Sequence, residues 1–150
     1  MRISQNGVDL IKHFESLRLT AYPDPATGNK PWTIGYGSTE GVVKGMTITQ
    51  QQAEQMLEKD LLNFETGVNK IAKNCTQSQF DALCSFSFNL GLINLERSTL
   101  LRLHNAEKYS EVPAQFLRWN RANGAVMAGL TRRRTAESLL YAGKDWDQHE

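Results

Sequence analysis

Glu15-Ser16-Leu17-Arg18-Leu19-Thr20-Ala21-Tyr22-Pro23-Asp24 and, after eight further residues, Thr33-Ile34-Gly35-Tyr36-Gly37 join a helix end to short extended segments. Upstream, Ser4 is placed to cap a helix reading QNGVDLIKHFES. On it Val8, Ile11 and Glu15 fall on one stripe at i, i+3 and i+7. A carboxyl near that core-facing side loses hydration, which favours the protonated form that a proton donor needs. Asp24 sits between two prolines in a polar turn, where a carboxylate stays ionised and is held in place. Two carboxyls in contrasting settings are what cleavage of a glycosidic bond uses: an acid for the leaving oxygen, a base or nucleophile for the other face. A glutamate at a helix rim and an aspartate in a simple turn account for the same residues, so spacing alone leaves both readings open.

Working outward, residues 19–48 are rich in Gly, Pro, Thr and aromatics, with candidate strands at 19–22, 32–36 and 41–44. From Thr49 the pattern is helical. Thr49-x-x-Gln52 forms a capping box before a long helix with Ala53, Met56, Leu57, Leu61 and Phe64 on its inner face. A second helix is expected over 77–90, stopped by Gly91, with Phe80, Leu83 and Cys84 inward. Further helices are expected over 95–104, 110–120 and 131–142, then Gly143 and an acidic, frayed tail. The expected fold is α+β: an N-terminal helix and small antiparallel β-sheet lobe (1–48) joined to a larger helical lobe (49–150). Together they would form one catalytic domain, with the active-site cleft between the lobes.

The bulk numbers bound the alternatives. At 40% hydrophobic and 22% charged, 150 residues suit a folded soluble chain with a real core. No apolar run reaches the roughly 18–20 residues of a membrane span. MRISQNGVDLIKHFES has neither the apolar core nor the cleavage site of a signal peptide, so synthesis and folding in the cytoplasm are expected. Cys75 and Cys84 read as two reduced, semi-buried thiols, with a short-loop disulfide as the alternative, and a zinc site would need two further ligands. Residues 97–134 hold eight basic residues against two acidic ones, a local charge of +6 that suits a polyanionic partner. Arg132, Arg133 and Arg134 read as a largely solvated face, one of them a possible partner for Glu15.

Taken together, the quoted segments closely resemble the signature of phage-type lysozymes, glycoside hydrolase family 24, which includes the T-even and lambdoid phage endolysins. Glu15 and Asp24 reproduce its glutamate–eight residues–aspartate spacing, and Thr33 opens its Thr-Ile-Gly-x-Gly element. Phe80-Asp81-Ala82-Leu83, Phe86 to Gly91, Ser98-Thr99-Leu100-Leu101 and Gly129 to Glu137 resemble later family segments. Two departures stand out. The Asp24–Thr33 interval is longer than the basic pattern, with the extra residues falling in 27–31, and Ser38 replaces a frequent histidine, so a histidine salt bridge there is excluded.

The resemblance implies a lysozyme-like fold and hydrolysis of the β-1,4 bond between N-acetylmuramic acid and N-acetylglucosamine, for host-cell lysis. Glu15 would be the general acid; Asp24 and Thr33 would orient the attacking water, with inversion at the anomeric carbon. Phe88 and Ser98 would line the sugar cleft, with Trp32 and Tyr36 as possible stacking partners. No metal or organic cofactor is called for. The partners implied are peptidoglycan and, for release, a separate phage holin; a monomer without nucleic acid or stable membrane insertion is expected. The rivals are a lytic transglycosylase with 1,6-anhydro products, a non-catalytic peptidoglycan binder, and a basic nucleic-acid-binding domain.

Overall fold

A computed structural model describes residues 1–147. The chain divides into two compact units, Ile11–Asn63, and Met1–Leu10 with Phe64–Glu150. Among the described residues no helix is long and apolar enough to cross a membrane.

The unit Ile11–Asn63 is entered through α1 (Gln5–Glu15). β1 (Arg18–Tyr22) then pairs antiparallel with β2 (Thr33–Gly35), Arg18 opposite Gly35 and Tyr22 opposite Thr33, with an irregularity between. Beside β1 lies residues 46–48: Thr20 bridges Thr47, Ala21 N–H donates to Met46 O and Ile48 N–H to Leu19 O, both at 2.9 Å. The third strand expected at 41–44 is therefore displaced. Gly41 and Gly45, with φ of 72° and 86°, bound two turns closed by Val42 N–H to Thr39 O and Met46 N–H to Val43 O. Those turns spend the backbone groups a strand would have used. The capping box that opens α2 (Gln50–Ile71) forms as read, with Thr49 N–H donating to Gln52 Oε1 at 2.9 Å and Gln52 N–H to Thr49 Oγ1 at 3.1 Å. Ala53, Leu57 and Leu61 are buried, as are Ile11, Ile34 and Tyr36. Ser38 is buried too, and its hydroxyl donates to Asp60 Oδ2 at 2.6 Å. A serine thus makes a charge-assisted bond where an ion pair with histidine is impossible.

In the other unit, α3 (Gln77–Leu90) is buried without interruption from Gln79 to Ser87. Thr76 and Gln79 form a second capping box, and Gly91, at φ 95°, donates its N–H to Ser87 O at the other end. The single helix expected over 95–104 is two: α4 (Leu92–Arg97) and α5 (Thr99–Asn105). Ser98 separates them because its extended backbone ends α4 while its hydroxyl accepts the Leu101 N–H and caps α5. The helix expected over 110–120 shortens to α6 (Val112–Phe116), flanked by 3-10 turns at Tyr109–Glu111 and Leu117–Trp119. Pro113, at the start of α6, has no N–H to carry a helix through from before it. An exposed hairpin, β3 (Arg121–Ala122) with β4 (Ala125–Val126), turns on Asn123 and Gly124 at φ 53° and 79°. α7 (Ala128–Tyr141) closes the fold. Trp146 is buried and donates its Nε1–H to Asn6 at 2.9 Å, so the tail is tied down through that point; residues 148–150 lie outside the described ones.

The arginines expected on a solvated face are divided. Arg132 is exposed, whereas Arg133 and Arg134 are buried around Glu137 of α7, itself 0% exposed. Arg133 Nε lies 3.3 Å from Glu137 Oε2 and Arg134 Nε 3.0 Å from Oε1. Ser85 of α3 donates to the same carboxylate at 2.5 Å, and Arg134 Nη2 donates to Asn89 at 2.6 Å. Both cysteines are free thiols; burial pushes Cys75 up to about 11 and Cys84 higher still, so both stay protonated and inert at neutral pH. Buried His104 bonds to Tyr141 OH through Nδ1 (2.6 Å) and to Lys73 O through Nε2 (2.7 Å).

Two expectations follow from these buried groups. Glu137→Ala strips the shared carboxylate from two buried guanidinium groups and should lower unfolding free energy by about 3–5 kcal/mol, read by urea denaturation. Burial holds the His104 pKa below its ordinary 6.5, opposed in part by its bond to Lys73 O. The unfolded chain therefore binds more protons between the two values, so stability is full above about 6.5 and declines as pH falls through that window. The His104→Gln protein should lose that part of the slope of stability against pH.

Candidate active site

Glu15, Asp24 and Thr33 all belong to the unit Ile11–Asn63. Glu15 is the last residue of α1, and Ser16, at φ 58°, turns the chain from helix into β1. The Glu15 side chain is half-buried. It passes close to Gly37, whose φ is 94°; a Cβ built there would stand 3.1 Å from Glu15 Oε1. Glycine is favoured by the left-handed backbone, and a side chain here would crowd the Glu15 carboxylate.

The pairing of β1 with β2 fixes the rest of the constellation. Because Arg18 faces Gly35, the Gly35-Tyr36-Gly37 turn returns to the helix-end side of β1 where Glu15 lies. Because Tyr22 faces Thr33, the threonine comes to the other end, two residues from Asp24. Asp24 opens a loop stitched by short-range bonds. Its N–H donates to Asn29 O at 2.9 Å, and its carbonyl accepts from Gly28 N–H at 2.7 Å. Thr27 Oγ1 donates to Lys30 O at 3.0 Å and accepts from Asn29 N–H, while Trp32 Nε1–H donates to Asn29 Oδ1 at 3.2 Å. Asp24 Oδ1 accepts the Ala26 N–H at 3.2 Å, an Asx turn, whereas Oδ2 has no hydrogen-bond partner among the described residues. Thr33 Oγ1 has one weak contact, with Pro31 O at 3.5 Å. One carboxylate oxygen is anchored, and the other, with a loosely held hydroxyl, remains open to water.

The other candidates fare differently. Tyr36 is 6% exposed and packs in the core, with Lys12 Nζ 5.5 Å from its ring centre, so it offers no face to a sugar. Trp32 is half-buried and lines a pocket described below. Phe88, in α3, is half-buried with its ring edge-on to Phe64 at 5.3 Å. Ser98 is buried, and its hydroxyl is committed on both sides, donating to Leu95 O at 2.6 Å and accepting from Leu101 N–H at 2.9 Å. The sequence assigns no role to Asn29, to Gly37 beyond its place in the Thr-Ile-Gly-x-Gly element, or to Glu137 beyond its place in a family-like segment. The i+3 and i+4 spacing of Glu137 from Arg134 and Arg133 was a visible sign of the third, but nothing local marks Gly37 as a neighbour of Glu15.

The chain is similar to known proteins over most of its length. An endolysin of Bacillus phage B103 is 45% identical over 143 residues, covering 94% of this chain and 54% of that protein. The endolysin of Acyrthosiphon pisum secondary endosymbiont phage 1 is 42% identical, covering 94% of this chain and 98% of the relative. The chain thus spans about half the length of the Bacillus phage relatives and nearly all of the latter. Among solved structures, the muramidase domain of SpmX from Asticaccaulis excentricus superposes with a TM-score of 0.87 at 39% identity, covering 93% of this chain and 97% of that one. The family model described as phage lysozyme matches residues 12–137, most of the sequence, and the chain belongs to that family.

Proposed function

We propose that this chain is a lysozyme-type glycoside hydrolase that acts as an endolysin, cutting peptidoglycan between N-acetylmuramic acid and N-acetylglucosamine. It works as a single catalytic domain. Glu15 is the general acid that protonates the glycosidic oxygen. Asp24 stabilises the oxocarbenium-like transition state and, with Thr33, orients the water that attacks from the opposite face, giving inversion. The observation that carries the reading is the half-tethered Asp24 carboxylate: Oδ1 is fixed by the Ala26 N–H while Oδ2 and the Thr33 hydroxyl stay open. A water held by two such groups needs no reorganisation of the protein when it attacks. In the other unit, the half-buried Phe88 ring, edge-on to Phe64, offers an apolar surface for a sugar, and Ser98 holds the α4–α5 junction that it caps. Reaching the wall depends on a separate holin that opens the membrane.

The test is turbidity loss of outer-membrane-permeabilised cells, with mass spectrometry of the products. Wild type should release reducing ends, and Glu15→Gln, folded to the same extent by circular dichroism, should clear walls roughly 10²–10⁴-fold more slowly. Wild-type clearing by Glu15→Gln would overturn the assignment, and 1,6-anhydro ends would replace hydrolysis with ring closure. Gly37→Ala adds a Cβ 3.1 Å from Glu15 Oε1 on a left-handed backbone. It should lower kcat by roughly several-fold, since the Glu15 carboxylate must give way by a few tenths of an ångström and the placement of a reacting group bears directly on rate, while thermal unfolding remains cooperative.

A further inference from the structure

The lengthened loop between Asp24 and Thr33 builds something of its own. Within the unit Ile11–Asn63 there is an open pocket of about 350 Å³ lined by Lys30, Pro31 and Trp32 and by Thr39, Val42, Val43 and Lys44. Lys30, Pro31 and Trp32 belong to the loop between Asp24 and Thr33, so that loop supplies part of the lining. Its volume falls in the range of small-ligand sites.

The lining has a definite chemistry. Lys30 and Lys44 are both exposed, and neither has a carboxylate within ion-pair distance among the described residues; Glu40, which follows Thr39, pairs with neither. The indole of Trp32 is oriented by its bond to Asn29, and Val43 is 61% exposed, large for an aliphatic residue. Two unneutralised ammonium groups beside an indole and two valines suit a short chain carrying small apolar groups and carboxylates. Trp32 also adjoins Thr33 in sequence, and Asn29 joins it to the Asp24 loop through the Asp24 N–H. The ligand would therefore be part of the same polymer whose glycosidic bond meets Asp24.

We propose that this pocket is a subsite for the acidic stem peptide of peptidoglycan, with alanine methyl groups against Val42, Val43 and Trp32 and peptide carboxylates on Lys30 and Lys44. The assignment rests on the proposed activity for its choice of polymer, while its test reads binding. In the inactive Glu15→Gln protein, titration with a soluble muramyl dipeptide bearing a free carboxylate should move the Trp32 indole N–H resonance. In Lys30→Gln/Lys44→Gln on that background, affinity should drop roughly three- to tenfold, the range expected for removing two exposed charge contacts. The Lys59→Gln/Lys70→Gln protein, equal in charge, should bind as the parent does. An unmoved Trp32 signal, equal binding by the Lys30/Lys44 variant, or tighter binding of a glycerol-phosphate oligomer than of the peptide would each overturn the subsite. Cell walls left uncut by the wild-type protein, beside a peptide-dependent Trp32 shift, would instead overturn the hydrolase reading and leave the pocket's ligand standing.

Discussion

Two backbone pairings, Arg18 with Gly35 and Tyr22 with Thr33, carry the arrangement on which the site depends. Each strand is short, and β2 has three residues, so the pairing gains little from length. It is secured from elsewhere. Ile34 is fully buried and bridges Ser38, Thr20 bridges Thr47, and Ser38 is bonded to Asp60 of α2. A slip of one residue would turn Ile34 out of the core and carry Thr33 to the wrong face, so the apolar demand of one side chain enforces the register of the proposed catalytic one.

The other unit solves a different problem. Its helices bury three carboxylates, and each is answered by two or more donors, at least one of them from far along the chain. Asp81 accepts the Ser4 N–H and hydroxyl and the Gln77 amide. Glu65 accepts the Ile3 N–H at 2.7 Å and Arg2 Nε at 3.0 Å, and Glu137 gathers Ser85, Arg133 and Arg134. A buried carboxylate without such partners costs several kcal/mol, so each one penalises every packing that would separate it from its donors. Apolar contact alone is less selective, since many helix arrangements bury similar area. The first four residues are pinned to α2 and α3 in this way, although nothing in their composition announces a fixed segment.

Local rules were readable in the sequence where they are local in the structure. The Thr49–Gln52 capping box, the limits of α3 and the Gly91 stop depend on neighbours within four residues, and they form as expected. The same rule applied to Thr76 and Gln79 finds the second box, and the Asn123-Gly124 pair marks the β3–β4 hairpin. What could not be read depends on distant partners. Whether Arg133 and Arg134 face water or Glu137 is decided by the opening that Ser85 and Asn89 make for them on α3. Likewise Ser98 reads as a polar residue on a continuous helix until its hydroxyl turns back onto Leu101 and breaks it. The glutamate, aspartate and threonine were visible as a spacing. The glycine that accommodates Glu15 was not, since it sits across a strand pair.

The contrast between the units bears on how the loop after Asp24 came to be longer without disturbing the site. Every side-chain bond that holds residues 24–32 runs between positions two or three apart: Asp24 to Ala26, Thr27 to Asn29 and Lys30, Asn29 to Trp32. Such a loop carries its own rigidity and depends on the rest of the unit mainly at its two ends, where Tyr22 faces Thr33. Extra residues in its middle cost little closure entropy, because that cost grows only with the logarithm of length. The position of Thr33 is set by the strand register and not by the distance along the chain from Asp24. Length in this loop is therefore free to vary with what the loop must touch, here a pocket lined by Lys30 and Lys44, while the position of Thr33 stays under the control of Ile34 and the strand pair.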